Sequence, residues 1–301
     1  MKKYFLITSI LLISLFQSTY GQDFKDQFKV LFNKNDIAGQ EKLLQNWEKT
    51  NPNDPELYVS YFNFYFNKSR NETLSLTKKP TSKESIPLTK ENDDKAVAYL
   101  GSQISFDKKN FDKGIAYIEK GIEKFPNRLD MRFGKIYTIG QIEDYKTFTS
   151  EIVKTIDYSN VNKNQWIWID NKPLDEPKKF ILNAVQDYIV QLFDAGDEYV
   201  GNIKTIAETV LKYYPDSVEN LSNLAIYYLI KKDFDNALVP LLKAEKIAPT
   251  DFIVLNNIAF CYYNKGDKTN AVKYYNLVVK YGDEGAKAQA KEKLTELKKK
   301  N

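Results

Sequence analysis

From Pro215 onward the pattern of apolar and polar positions repeats. Leu221, Leu224, Ala225 and Tyr228 follow that proline, and Ala237, Leu241 and Ala244 come next, before Pro249. Thirty-four residues further along each of these stand Leu255, Ile258, Ala259 and Tyr262, then Ala271, Tyr275 and Val278. Offsets of three and four put each set on one face of a helix, so the spacing predicts paired helices, each carrying an apolar stripe. Ala within a stripe lets two backbones approach closely while a Leu or a ring fills the remaining hole. Lys232-Asp233-Phe234 and Gly266-Asp267-Lys268 supply the turns inside the pairs. Pro215 and Pro249 close their units, because proline cannot continue the helix it follows. Asp283 stands where a third proline would fall. The sparse apolar residues of Glu284 to Lys299 predict a capping helix with a charged outer face.

Toward the N-terminus the same periodicity becomes ragged. Helices are predicted over Gly39 to Thr50 and Pro55 to Phe66, around Asn51-Pro52, and over Asn110 to Phe125, ending at Pro126. Further helix signals run from Leu129 to Tyr145, Thr147 to Ile156, Phe180 to Phe193 and Asn202 to Tyr214. Two polar stretches interrupt them. Asn67 to Asp94 is expected to leave the helical array as a loop, in which Glu72 to Thr77 and Ser85 to Thr89 alternate weakly enough to suggest a short hairpin. The second insert, Asp157 to Pro177, carries Trp166, Trp168, Pro173 and Pro177.

The offsets of large, small and aromatic residues after Pro215 resemble the tetratricopeptide repeat. The resemblance holds through two successive units at 215–283 and loosens over 22–214. It implies an all-α fold, a right-handed α-solenoid of stacked helix-turn-helix units with two polar inserts and a C-terminal capping helix at 284–301. A single unit cannot bury its own stripe, so neighbours must stack. The wording from Gln165 to Asp175 is also similar to exported tetratricopeptide proteins of Bacteroidetes bacteria.

Composition narrows the chemistry. The chain has 301 residues, 43% of them hydrophobic, with 21 Tyr and 18 Phe against 12 Gly. Large rings with few glycines suit helices that press aromatic side chains into the gaps between neighbours. There is no His and one Cys. That removes the usual general base near neutral pH, every Ser-His or Cys-His nucleophile pair and the common zinc sites. No Gly-rich phosphate loop is present. No pair of carboxylates stands out among the 40 acids, so an enzyme is not expected, and neither a metal nor a cofactor is. Cys261 lies between Phe260 and Tyr262, where a small buried hydrophobe is the plain reading.

The first 21 residues read as a secretory signal peptide. Lys2 and Lys3 precede an apolar run from Phe5 to Phe16, and Ser18, Thr19 and Gly21 form a small-residue exit. The run is short for a bilayer span, so cleavage after Gly21 is expected; an uncleaved anchor is the competing reading. Cys is absent from the cleavage point, which argues against a lipoprotein. The mature chain is expected to be periplasmic or extracellular, without an integral membrane span. Its charge is nearly balanced apart from the Lys-rich C-terminal tail, and no basic face interleaved with aromatics suggests nucleic acid.

In the family, certain positions of each unit's first helix face a concave groove that holds peptides. Carried over, they are Glu219, Ser222, Asn223, Ile226 and Leu229 in one unit. In the next they are Ile253, Asn256, Asn257, Phe260 and Tyr263. Asn223 and Asn257 fall where the family often uses Asn to bond a peptide backbone, since one amide both donates and accepts. They are equally readable as solvated Asn. The Lys and Arg carboxylate clamp of some members has no counterpart at Glu219, Ser222, Ile253 and Asn256. Trp166 and Trp168, if extended, would present two rings on one face as a stacking surface; alternatively they pin the insert to the helices. The expectation is therefore a non-enzymatic scaffold of the cell envelope that binds protein or peptide in the groove. The alternative is a glycan- or nutrient-binding accessory protein that uses the two tryptophans.

Overall fold

The computed structural model describes residues 23–80, 85–90 and 95–299. The expected signal peptide lies outside the described residues. The chain folds as an all-α array of helix pairs with one small sheet set into it. In order, it runs through helix α1 (23–33), α2 (Ile37–Thr50), α3 (Pro55–Ser69), strands β1 (Arg70–Thr77), β2 (Ile86–Thr89) and β3 (Ala96–Phe106), and α4 (Lys108–Lys124). It continues with α5 (Leu129–Gln141), α6 (Tyr145–Val161), α7 (Pro177–Ala195), α8 (Val200–Tyr213) and α9 (Val218–Ile230). The last helices are α10 (Phe234–Ile247), α11 (Phe252–Asn264), α12 (Lys268–Tyr281) and α13 (Glu284–Lys299).

Local chemistry sets the register. Four turns place one residue in the left-handed region, at Asn35, Glu143, Lys232 and Gly266, followed directly by an Asp. Each of these residues, Asp36, Asp144, Asp233 and Asp267, caps the next helix by accepting from the amide three residues on. Such a carboxylate satisfies one of the free donors at a helix start and suits the positive end of its dipole. Asp107 does the same for α4, where the sheet replaces the short turn. Between pairs, α2, α4, α8 and α10 stop at Asn51, Phe125, Tyr214 and Ala248, each immediately before a proline. A residue preceding proline is driven out of the helical region, so the stop is written into the chain.

Two compact units result. The first holds the described residues up to Ile142 together with Ile167–Pro173, and the second holds Glu143–Trp166 and the chain from Leu174 onward. In the first, Phe28, Leu44, Trp47, Leu57, Tyr58, Tyr61 and Phe64 form the main core. Rings fill it as the composition suggests: Tyr117 of α4 stacks on Tyr61 of α3 at 4.0 Å, and Phe24 stacks on Trp47 at 5.5 Å. In the second unit, Leu221, Ala225, Ala237, Leu241, Ala244, Leu255, Ile258, Ala259, Ala271, Tyr275 and Val278 share one core with Ala290 and Leu297 of α13. Cys261 is buried in it, and burial pushes its thiol up to about 12, so it is inert packing.

Several boundaries differ from the sequence reading. The helix expected over 129–145 ends at Gln141, because Glu143 turns left-handed and Asp144 starts a new cap. The second insert is shorter than 157–177, since α6 continues to Val161 and α7 begins at Pro177. The first insert is not a loop with a hairpin. It extends to Phe106, and β1 and β2 do not pair with each other; both pair antiparallel with β3, giving the order β1-β3-β2. The sheet needed a third strand that lay beyond the polar stretch.

Close approach is tested at two glycines. A methyl added at Gly121 would stand 2.9 Å from Tyr58 Cβ, whereas one at Gly201 would meet nothing within 4 Å. Gly121→Ala is expected to destabilise by about 1–3 kcal/mol through overpacking. Gly201→Ala, in the first turn of α8, is expected to stabilise by roughly 0.5 kcal/mol. Urea unfolding of both variants checks the opposite signs.

Candidate binding grooves

Counting from Asp54, which caps α3, and from Asp23 at the start of α1 puts these two helices in one register. After Asp54, offsets of two, five, six and nine give Glu56, Val59, Ser60 and Asn63 on α3. From Asp23 the same offsets give Lys25, Phe28, Lys29 and Phe32 on α1. Those eight residues, with Ile169, line an open cleft of about 230 Å³ in the first unit. Phe28, Phe32, Val59 and Ile169 make its walls apolar, while Glu56, Ser60 and Asn63 add polar groups on α3. A pocket of apolar walls with a few convergent polar groups is suited to seating a side chain and orienting its backbone.

The polar end of this cleft rests on Arg128. It occupies the cap position of α5, where Asp54, Ser217 and Asp251 stand elsewhere, but it caps nothing with its side chain. Its guanidinium is fully buried and pairs with Glu56 at 2.8 Å and Asp130 at 2.7 Å. Desolvation pulls the guanidinium pKa down, yet Asp130 and Glu56 together hold it above its ordinary value, so the cation persists. Lys25 pairs with Glu56 at 3.6 Å and with Asp170. Backbone groups of the second insert replace the missing cap. Leu129 donates to the Ile167 carbonyl and Ile167 donates to the Asn127 carbonyl, both at 3.0 Å. The Asp170 amide donates to Glu56 at 3.1 Å. The insert thereby delivers Ile169 to the cleft wall.

A second cleft, of about 360 Å³, opens in the second unit. Lys178, Lys179, Leu182, Asn183 and Gln186 of α7 face Ser217, Glu219 and Asn220 at the start of α9. Asn220 is buried and donates to Ser217 Oγ at 3.0 Å. Its Oδ1 accepts from no group among the described residues. A buried acceptor left open at a cleft is a place for a ligand N–H or an ordered water.

The residues singled out from the sequence are distributed unevenly. Asn223 is buried and donates to Gln186 Oε1 at 2.8 Å. It holds a wall of the second cleft in place and does not face solvent. Ile226, Asn256 and Asn257 are half-buried, and Phe260 is 43% exposed with its edge toward Phe234. Tyr263 donates to Glu296 of α13 at 2.9 Å and lies under Lys293, so the capping helix already engages it. The tryptophan surface is corrected outright. Trp166 is 2% exposed and packs on Tyr158, whereas Trp168 sets its edge against Phe133, so the pair forms no exposed platform. The cleft on α1 and α3 escaped the sequence reading. Its signal was the Asp54-Pro55 cap, which sets Glu56, Val59, Ser60 and Asn63 in the same register as Ile253, Asn256, Asn257 and Phe260.

The tetratricopeptide repeat family model matches residues 253–281, which is α11 through α12. Among solved structures the chain is similar to MamA, at 19% identity and TM-score 0.38, covering 60% of this chain and 93% of that one. It is similar to PilW, described as a type IV pilus biogenesis factor, at 9% identity and TM-score 0.39, covering 89% and 97%. A third is a thermophilic TPR protein of Thermus thermophilus, at 12% identity and TM-score 0.35, covering 62% and 92%. A sequence search of curated proteins finds no match.

Replacing Arg128 tests the support of the first cleft. Arg128→Met leaves Asp130 buried without its cation and Glu56 with Lys25 as its remaining cation, at an expected cost of about 3–5 kcal/mol. Hydrogen exchange at the Leu129 and Ile167 amides should accelerate along with it. Unchanged stability and exchange would show that the pairs contribute nothing.

Proposed function

We propose that this chain is a non-enzymatic binding scaffold of the cell envelope that holds a segment of another protein along the first helices of its pairs. The observation that carries this is the shared register of α1 and α3, whose equivalent offsets line one open cleft with apolar walls and polar groups. Repeated helices present side chains at a constant interval along their exposed face, which suits an extended or helical segment. The occupant is a segment with a large apolar side chain for the cleft of Phe28, Phe32, Val59 and Ile169. A backbone N–H of a bound segment would likewise satisfy Asn220 Oδ1 in the second cleft.

Two observations favour binding over reaction. Glu56 and Asp130 are both engaged as ion-pair partners of the buried Arg128. The thiol of Cys261 is sequestered in the core. Export rests on the charged start, apolar run and small-residue exit of residues 1–21.

The test is proximity crosslinking and pull-down from native envelopes, comparing the wild-type chain with Phe32→Ala/Asn63→Ala and Asn257→Ala/Phe260→Ala. Loss of an anchor side chain is expected to reduce capture at least tenfold, since a few buried aromatics dominate such interfaces at about 2 kcal/mol or more each. Circular dichroism checks that the variants fold. Equal capture by the wild type and both variants would remove the groove assignment.

A further inference from the structure

The three-stranded sheet carries a feature that the helical grooves do not use. Residues directly opposite each other in an antiparallel pair share a face, as do residues two apart along a strand. The register sets Leu76 of β1 and Ile86 of β2 on either side of Leu100 of β3, with Leu88 opposite Ala98 and Leu74 opposite Ser102. Ile104 continues the same face toward the base of the sheet. The opposite face is mostly polar, with Thr73, Ser75, Thr77 and Gln103, and carries Tyr99, Pro87 and the exposed Val97 toward one end. The sheet is therefore two-sided in composition, yet its apolar side is open: Leu74 is 74% exposed, Leu76 65% and Ile86 59%. Folded proteins rarely leave a contiguous apolar face of this kind without a use for it.

We propose that this face docks on the same face of a second copy of the chain, forming a two-fold sheet-on-sheet contact. Two properties select that occupant. The face carries almost no free charge: the strands place only Arg70 and Glu72 on it, at its base, and these pair with each other at 3.0 Å, Glu72 also accepting from Ser102. An apolar face of balanced charge is chemically complementary to itself, and sheets pack readily face to face. The area also suffices. Its five exposed Leu and Ile side chains present on the order of 500 Å² per copy, so two copies remove roughly 1,000 Å², the size at which a specific interface begins. A lipid surface is the competing occupant, which vesicle flotation distinguishes.

Sedimentation velocity of the purified chain over a range of micromolar concentrations tests this. The wild type is expected to show a concentration-dependent monomer–dimer equilibrium. Leu76→Glu and, independently, Leu74→Lys should raise the dimer Kd by at least about a hundredfold, because each buries a charge in the contact. Thr73→Glu, on the opposite face, should leave it unchanged. Leu74, Leu76 and Thr73 are all exposed, and circular dichroism checks that each variant folds. A wild type that stays monomeric throughout would overturn the proposal, and flotation with vesicles of neutral and of anionic lipid would then show whether the face docks on membrane. Dissociation by Thr73→Glu as strong as by Leu76→Glu would place the contact elsewhere and overturn it as well.

Discussion

A helix pair of this type exposes an apolar stripe that its own partner helix cannot cover, and the array depends on neighbours covering it. Burial is favourable in proportion to the apolar area removed from water, so each added pair gains from the one before it. The stripe works at short range only where small residues let backbones meet. Ala225, Ala237, Ala259 and Ala271 are completely buried at such points, and Gly121 lies against Tyr58 in the first unit. Leu297 and Ala290 of α13 end the core of the second unit, and lysines and glutamates cover the outer side of that helix.

Groove geometry follows from the same constraint. On α1 and α3, once one face is committed to the stack, the residues at offsets two, five, six and nine are turned to another side together. The identity of the residues at those offsets then decides what each section does. On α1 and α3 they leave a cleft. At Asn223 the offset is closed by a bond to Gln186, and at Tyr263 the surface is closed by Glu296. Within each unit, residue identity thus decides whether such a position is open or closed.

Arg128 shows how an irregular unit is accommodated. A residue that cannot cap α5 is compensated by the Ile167 carbonyl, and its charge is compensated by Glu56 and Asp130. Leaving any one of these partners out would strand a buried charge or a buried amide, so Ile167–Pro173 is bound into the first unit by necessity. The tryptophans of the second insert serve packing: Trp168 lies against Phe133 and Trp166 against Tyr158 of α6.

The paired helices after Pro215, their turns at Asp233 and Asp267, and the bounds of α13 were legible because each rests on short-range rules. A 3.6-residue period, a proline stop and an Asp cap act within a few residues of where they are written. The ragged units hid the same kind of cap at Asp36, Asp107 and Asp144, and those at Asp36 and Asp144 become visible once the left-handed residue before each is recognised. Other features were decided by tertiary structure alone. Strand β3 was needed to pair both β1 and β2, Arg128 needed a carboxylate far away at Glu56, and the exposure of Asn223 or Trp166 depended on what other helices and turns laid against them. Pairing, burial and charge compensation join residues distant in the chain, so no local pattern around Asn223 or Trp166 carries the information that settles them.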